Sequence, residues 1–210
     1  GESITERVLR GLGSDPDRVV LIDGPTGREV SAGALEAGVR RLAGGLKAKG
    51  FGKGDVVAIL APNIPEYAVV FHGVAFAGAT VTTINPTYTA PEVAHQLTDS
   101  GAKLLVTIPA FLETARAAAP DLEIVVIGEA DGATPLAALM GDALAAQVAV
   151  DASVDVVVLP YSSGTTGLPK GVRLTHRNLV ANVDQMLRMG GCDPGSWTVG
   201  FLPFFHIYGQ

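Results

Sequence analysis

Residues Tyr161 to Val172 read YSSGTTGLPKGV, a stretch whose side chains could do chemistry. It holds three glycines, four Ser/Thr hydroxyls, one proline and one lysine in twelve residues. Gly164 and Gly167 let the main chain come close to a ligand and turn its N–H groups inward. Ser162, Ser163, Thr165 and Thr166 can donate hydroxyl hydrogen bonds, and Lys170 adds a mobile positive charge. Phosphate oxygens are the ligand that suits such a set. The Walker loop GxxxxGK[ST] does not fit: Pro169 stands where its second glycine belongs, and Lys170 is followed by Gly171 and not by Ser or Thr. No GxGxxG occurs either, so a dinucleotide fingerprint is unsupported. A ligand-free flexible connector is the plainer reading, but Pro169-Lys170-Gly171 between a strand and a helix argues against it.

An apolar run, Val154 to Pro160, leads into this loop, and a helix is predicted to start near Thr175. A loop that follows a buried strand is where open α/β sheets hold their ligands. Upstream, the chain alternates. Strands are expected at Val56–Leu60, Thr80–Ile84, Lys103–Thr107, Ile124–Ile127 and Asp155–Leu159, and helices at Pro65–Ala77, Ala90–Ser100, Pro109–Ala118 and Pro135–Ala145. Ser3-Ile-Thr-Glu6 and Thr89-Ala-Pro-Glu92 have capping-box spacing. Arg18–Asp23 and Glu29–Ser31, joined by a Gly24-Pro-Thr-Gly27 turn, form a hairpin. Leu35, Val39, Leu42 and Leu46 then make one apolar stripe on a helix running to Lys49. Short, continuously apolar strands alternating with helices predict an α/β fold: a mostly parallel sheet with helices on both faces.

The 210 residues are 48% hydrophobic and 17% charged, which excludes a disordered chain. A net charge of −6 argues against nucleic-acid binding, and it leaves any polyanion to be held by local groups. The single cysteine, Cys192, excludes an internal disulfide and suits a reducing cytoplasm. It has no basic neighbour that would activate its thiol. The longest apolar stretch, Ala68 to Val81, is too short and too interrupted to span a bilayer. It reads as a buried helix feeding a buried strand. His72 is expected in the core, His95 exposed on its helix, and His176 structural. No pair of histidines has zinc-ligand spacing.

SSGTTGLPKGV resembles the phosphate-binding signature of the adenylate-forming enzymes: acyl-CoA synthetases, luciferases and peptide-synthetase adenylation domains. FLPFFHIYG, Phe201 to Gly209, resembles their next signature at a similar spacing, and its His-Ile-Tyr at 206–208 is most similar to the 4-coumarate:CoA ligase branch. The resemblance implies the large N-terminal domain of such an enzyme. It implies ATP, Mg2+ and CoA as cofactors and co-substrates, and a small carboxylic acid as substrate. Ser162, Ser163, Gly164, Thr165, Thr166, Gly167 and Lys170 would hold the phosphates. His206 would lie between the acyl carboxylate and the adenylate phosphate, and Tyr208 would line the acyl pocket.

The family's magnesium-holding acidic segment, ribose-binding aspartate and mobile C-terminal domain with its lysine have no counterpart among these residues. The chain is therefore expected to be an N-terminal fragment that is inactive by itself. A non-catalytic phosphate-binding module is the alternative, as is a luciferase-like, adenylation-domain or fatty-acyl-CoA ligase parent. Residues 1–50 are expected to pack with segments not present here. Residues 51–200 would form the βα-alternating subdomain that carries the loop, and 201–210 would begin the acyl pocket. Phe201, Leu202, Phe204, Phe205, Ile207 and Tyr208 are expected to be left exposed, making the fragment homodimerise or self-associate.

Overall fold

The computed structural model describes residues 1–162, 169–190 and 195–209. Helix α1 spans Ile4–Gly11, and Ser3 caps it with the expected reciprocal bonds to Glu6. Strands β1 (Val19–Ile22) and β2 (Glu29–Ser31) form the antiparallel hairpin, and Ser31 then caps α2 (Ala32–Ala48). The predicted stripe of Leu35, Val39, Leu42 and Leu46 is buried. β3 (Val56–Leu60), α3 (Pro65–Phe76), β4 (Thr80–Thr83), α4 (Ala90–Ser100) and β5 (Ala102–Thr107) follow in strict alternation. Pro109–Phe111 form a 3-10 turn before α5 (Leu112–Ala118), so the helix expected from Pro109 begins tighter than an α-helix. β6 (Ile124–Val126), β7 (Thr134–Pro135), α6 (Leu136–Leu139) and β8 (Val156–Ser162) complete the parallel set.

The sheet order is β7-β6-β5-β3-β4-β8, with every one of these neighbours parallel. Side-chain alternation splits the strands between two faces. Val57 and Ile59 of β3 and Leu104 and Val106 of β5 join one core with α2 and α3. Ala58, Leu60 and Leu105 face the other way, toward Val93 and Leu97 of α4 and Ala115 of α5. Helices thus cover both faces, as the α/β reading requires. β4 has the sequence TVTT yet is buried. Its hydroxyls are paired: Thr80 donates to the Val156 carbonyl at 2.8 Å and Thr82 to that of Leu159 at 2.9 Å. Hydrogen-bonded hydroxyls of this kind remove most of the cost of burying a polar strand.

Pro135–Ala145 does not form the expected helix; α6 ends at Leu139. The chain there turns to lie on α2, where the Gly141 N–H donates to the Arg41 carbonyl at 3.0 Å and that of Leu144 to the Arg40 carbonyl at 3.1 Å. The contact is so close that a Cβ added at Gly45 would sit 1.6 Å from the Leu139 oxygen. A tertiary contact to a pair of glycines on another helix overrides the helix propensity of the alanines.

The β3→β4 connection, α3, runs on one face and the β4→β5 connection, α4, on the other. The chain therefore leaves two adjacent strands in opposite directions. The carboxyl ends of β3 and β4 flank the crevice that this reversal opens, the topological switch point of the sheet.

Candidate functional site

Two segments gather at that edge. In the first, β8 continues through Tyr161 and Ser162, beyond its predicted end at Leu159, and β9 (Lys170–Gly171) returns antiparallel to it. Tyr161 pairs with Gly171 and Ser162 with Lys170. The stretch expected to be loop throughout is thus a hairpin with strand-like flanks. Gly-Ser-Thr composition hid those flanks, since main-chain pairing forms them and no apolar alternation marks them. The chain then runs back along β8 as β10 (Leu174–Thr175), and Thr175 caps α7 (His176–Arg188). Ser163, Gly164, Thr165, Thr166 and Gly167, all expected to hold phosphate, lie outside the described residues, as does Cys192. Ser162 and Lys170 are exposed.

Helix α4 holds both flanks of the hairpin. The Tyr161 hydroxyl donates to Asp99 Oδ2 at 2.5 Å. Partial burial, and then that carboxylate, push the Tyr161 phenol well above its ordinary range, so it stays a donor. Its ring lies over Gly171, where an added Cβ would be 3.1 Å from two ring carbons. Close approach is therefore what Gly171 supplies. On the other flank, His95 Nε2 is 3.2 Å from the Pro169 carbonyl. His95 is half-buried against the loop and not exposed as expected, because α4 lies under the hairpin.

In the second segment, residues 200–209 dock on the switch point. Asn63, just after β3, donates from Nδ2 to the carbonyls of Gly200 at 2.9 Å and Leu202 at 2.7 Å. Its Oδ1 accepts from the Phe204 N–H at 2.8 Å. Thr83, at the end of β4, donates to the Phe205 carbonyl at 2.7 Å. The Phe204 ring meets buried Tyr67 of α3 edge-on, with centroids 5.6 Å apart. The expected exposed apolar tail is therefore only partly exposed. Phe204, Phe205 and Ile207 are half-buried, with Phe204 and Ile207 packed on the core, while Phe201 and Tyr208 remain 78% and 80% exposed.

The tail then curls. The His206 N–H donates to the Pro203 carbonyl at 3.1 Å and the Gly209 N–H to the His206 carbonyl at 2.8 Å. A Cβ on Gly209 would fall 2.3 Å from the Pro203 oxygen, so glycine is required there. His206 is exposed, and its Nδ1 accepts the Tyr208 N–H at 3.2 Å. With Nδ1 an acceptor, the neutral ring carries its proton on Nε2, which is then a donor.

His72 and His176 behave structurally, as expected. The Nδ1 of His72 is 3.1 Å from the Thr5 hydroxyl, and burial lowers its pKa to about 4. His176, buried at the start of α7, accepts the Ile4 N–H at 3.3 Å; burial lowers its pKa against opposing pulls from Asp155 and Glu6. Among the described residues no group of three or more His, Cys, Asp or Glu could hold a metal, and no helix is long and apolar enough to cross a membrane.

Asn63, Thr83, Tyr67 and Asp99 are the site's supports that sequence reasoning missed. Only Asn63 carried a usable signal, since it stands in a Pro62-Asn63-Ile64-Pro65 turn directly after the central strand.

A mostly parallel, doubly covered sheet is the architecture of the N-terminal domain of adenylate-forming enzymes, and solved structures of that class superpose on it. The long-chain-fatty-acid-CoA ligase of Archaeoglobus fulgidus matches with a TM-score of 0.89 and 29% identity, over 99% of this chain and 43% of its own. ATP-bound MatB from Rhodopseudomonas palustris matches with a TM-score of 0.84 and 28% identity, over 99% of this chain and 41% of its own. The chain belongs to the AMP-binding enzyme family, whose pattern matches residues 10–210. It is similar to 4-coumarate–CoA ligase 5 of Oryza sativa subsp. japonica, 42% identical over 210 residues. That match takes in 96% of this chain and 38% of the rice protein, so the chain spans well under half the length of this relative.

Proposed function

We propose that this chain is part of an ATP-dependent carboxylate–CoA ligase acting on an aryl acid of the 4-coumarate type. One observation carries the reading: the paired flanks of the glycine-rich stretch, Tyr161–Ser162 and Lys170–Gly171, and the His206 segment sit at the carboxyl ends of neighbouring strands, β8 and β4, beside the switch point of the sheet. The similarity to the rice ligase supports the aryl substrate. The first step places charge on phosphoryl oxygens. A carboxylate oxygen attacks the α-phosphorus of ATP, an acyl-adenylate forms, and pyrophosphate leaves. The sulfur of CoA then attacks the acyl carbon and AMP leaves. Positioned donors are what such steps need.

Ser162, Ser163, Thr165 and Thr166 donate to phosphate oxygens, Gly164 and Gly167 admit close main-chain approach, and Lys170 pairs with the β- and γ-phosphates. The exposed Ser162 and Lys170, on facing positions of the hairpin, fit a phosphate ligand. His206 offers its Nε2–H to the charge that develops between carboxylate and α-phosphate, and the exposed Tyr208 phenol meets the acyl group. Mg2+ would neutralise phosphate charge, but the described residues bring no cluster of three or more His, Cys, Asp or Glu to hold it. The reaction belongs in the cytoplasm, which the lone cysteine suits.

The similarity to the Archaeoglobus structure favours a second reading, a fatty-acyl substrate. A substrate panel separates the two. With ATP, Mg2+ and CoA, the protein that carries this chain should release pyrophosphate with 4-coumarate at least tenfold faster than with palmitate; the reverse order selects the fatty acid. Equilibrium dialysis of the 210-residue chain against ATP tests the loop separately, and loss of binding in Lys170→Ala is the expected result.

A further inference from the structure

We infer that Asn63 and Thr83 are positioning residues that set the register of the segment bearing His206; the inference rests on the function proposed above. Asn63 commits both amide hydrogens and its carbonyl oxygen to the main chain of Gly200, Leu202 and Phe204. These are alternate residues, so one side chain does what the edge of a strand would do, more than 130 residues away in sequence. The donor and acceptor order matters. Nδ2 faces two carbonyls and Oδ1 faces one N–H, and a slip of one residue would set like groups against each other. Thr83, from the adjacent strand, takes the next carbonyl, that of Phe205. Four hydrogen bonds from the ends of β3 and β4 therefore fix residues 200–205, and His206 follows directly.

Within the tail, the turn through Pro203 and Gly209 and the Tyr208 N–H on Nδ1 orient the ring. Its place relative to the phosphate hairpin comes from Asn63 and Thr83. A slip of one residue along an extended segment moves a side chain by about 3.3 Å. Misplacement of about 1 Å at reacting groups costs on the order of 100-fold in rate. Tyr67 adds a limit on the other side: its ring backs Phe204, and among the described residues its buried hydroxyl has no hydrogen-bond partner.

The test uses Asn63→Ala, Asn63→Asp, Thr83→Val and the conservative Thr83→Ser. In the 210-residue chain labelled with 15N, the Phe204 amide should lose at least tenfold in hydrogen-exchange protection in Asn63→Ala. The His206 ring nitrogens should shift from the Nε2–H tautomer toward a mixture. Asn63→Asp, which keeps the acceptor for Phe204 but loses both donors, should fall between Asn63→Ala and the parent. In the protein that carries this chain, Asn63→Ala and Thr83→Val should lower kcat by about 10- to 100-fold while KM for ATP stays within twofold. Thr83→Ser should restore kcat.

Unchanged Phe204 protection and an unchanged His206 tautomer in Asn63→Ala would overturn the proposal. So would loss of protection with kcat intact, since the bond would then serve the fold alone. If Asn63→Ala fails to fold, Thr83→Val and Thr83→Ser decide by the same readouts. If the parent shows no turnover with any carboxylate, the proposed function fails, while the exchange and tautomer data still decide the anchoring.

Discussion

His206 commits one ring nitrogen to the Tyr208 N–H, and the proposed function gives the other ring nitrogen the part of a hydrogen-bond donor held at a fixed place. Removing one such donor from a site that stabilises developing charge costs about 100- to 1,000-fold in kcat. His206→Ala should show a loss of that size in single-turnover adenylation, with ATP affinity unchanged; a loss confined to KM would assign the ring to binding. Lys170 stands exposed on the hairpin and makes no ion pair among the described residues. A charge-assisted bond to phosphate contributes about 1.5–3 kcal/mol, so Lys170→Ala should weaken ATP binding roughly 10- to 100-fold by calorimetry. At this scale the sequence was informative about residue types and silent about their supports. Lys170 and His206 stand in local motifs, whereas the turn around Asn63 marks its place but not its partners, and Thr83 acts through a contact that no local pattern encodes.

Helix α1 is stapled to the rest of the molecule by histidines. His176 on α7 accepts the Ile4 N–H, and His72 on α3 contacts the Thr5 hydroxyl. Burial lowers both pKa values, that of His72 to about 4. The unfolded chain, with histidines near 6.5, therefore binds more protons than the folded one between about pH 6.5 and 4. Stability is fully present above that window and falls as pH drops through it, and His72 accounts for up to about 3 kcal/mol. Urea midpoints should drop from pH 7 to pH 5, and His72→Gln should flatten part of that drop. An equal drop in the variant would place the proton uptake elsewhere.

Packing also sets the α2 contact. Gly45→Ala drives a methyl into the Leu139 carbonyl and should destabilise by at least about 1–3 kcal/mol in the same assay. The elements that repay local reading are those whose ends are written locally. Val56–Leu60 is bounded by turn residues, and Ala90–Ser100 lies between a capping threonine and Gly101 in the left-handed conformation. Pro135–Ala145 fails because its partner is the glycine pair of α2, far away in sequence.

On the scale of the whole molecule, strand order makes the site. β3 and β4 send their connections to opposite faces, and the crevice between their ends receives the tail. Alternation of apolar strands and helices was enough to read a parallel sheet covered on both sides, but strand order, and with it the switch point, is a property of the assembled chain. Phe201, Leu202 and Tyr208 are exposed at this edge, with Trp197 and Val199 nearby in sequence. Exposed aromatic and aliphatic side chains of this number favour association. The 210-residue chain should dimerise or self-associate in light scattering at high concentration, and Phe201→Ser should reduce it; a monomer at high concentration would contradict this.

The measurement that bears most directly on the proposed ligase is pyrophosphate release by the protein that carries this chain, followed with ATP, Mg2+ and a panel of aryl and aliphatic carboxylates. Release should require both ATP and a carboxylate, favour aryl acids, and drop by about 100-fold or more in His206→Ala. No carboxylate-dependent release from a folded, ATP-binding protein would contradict it.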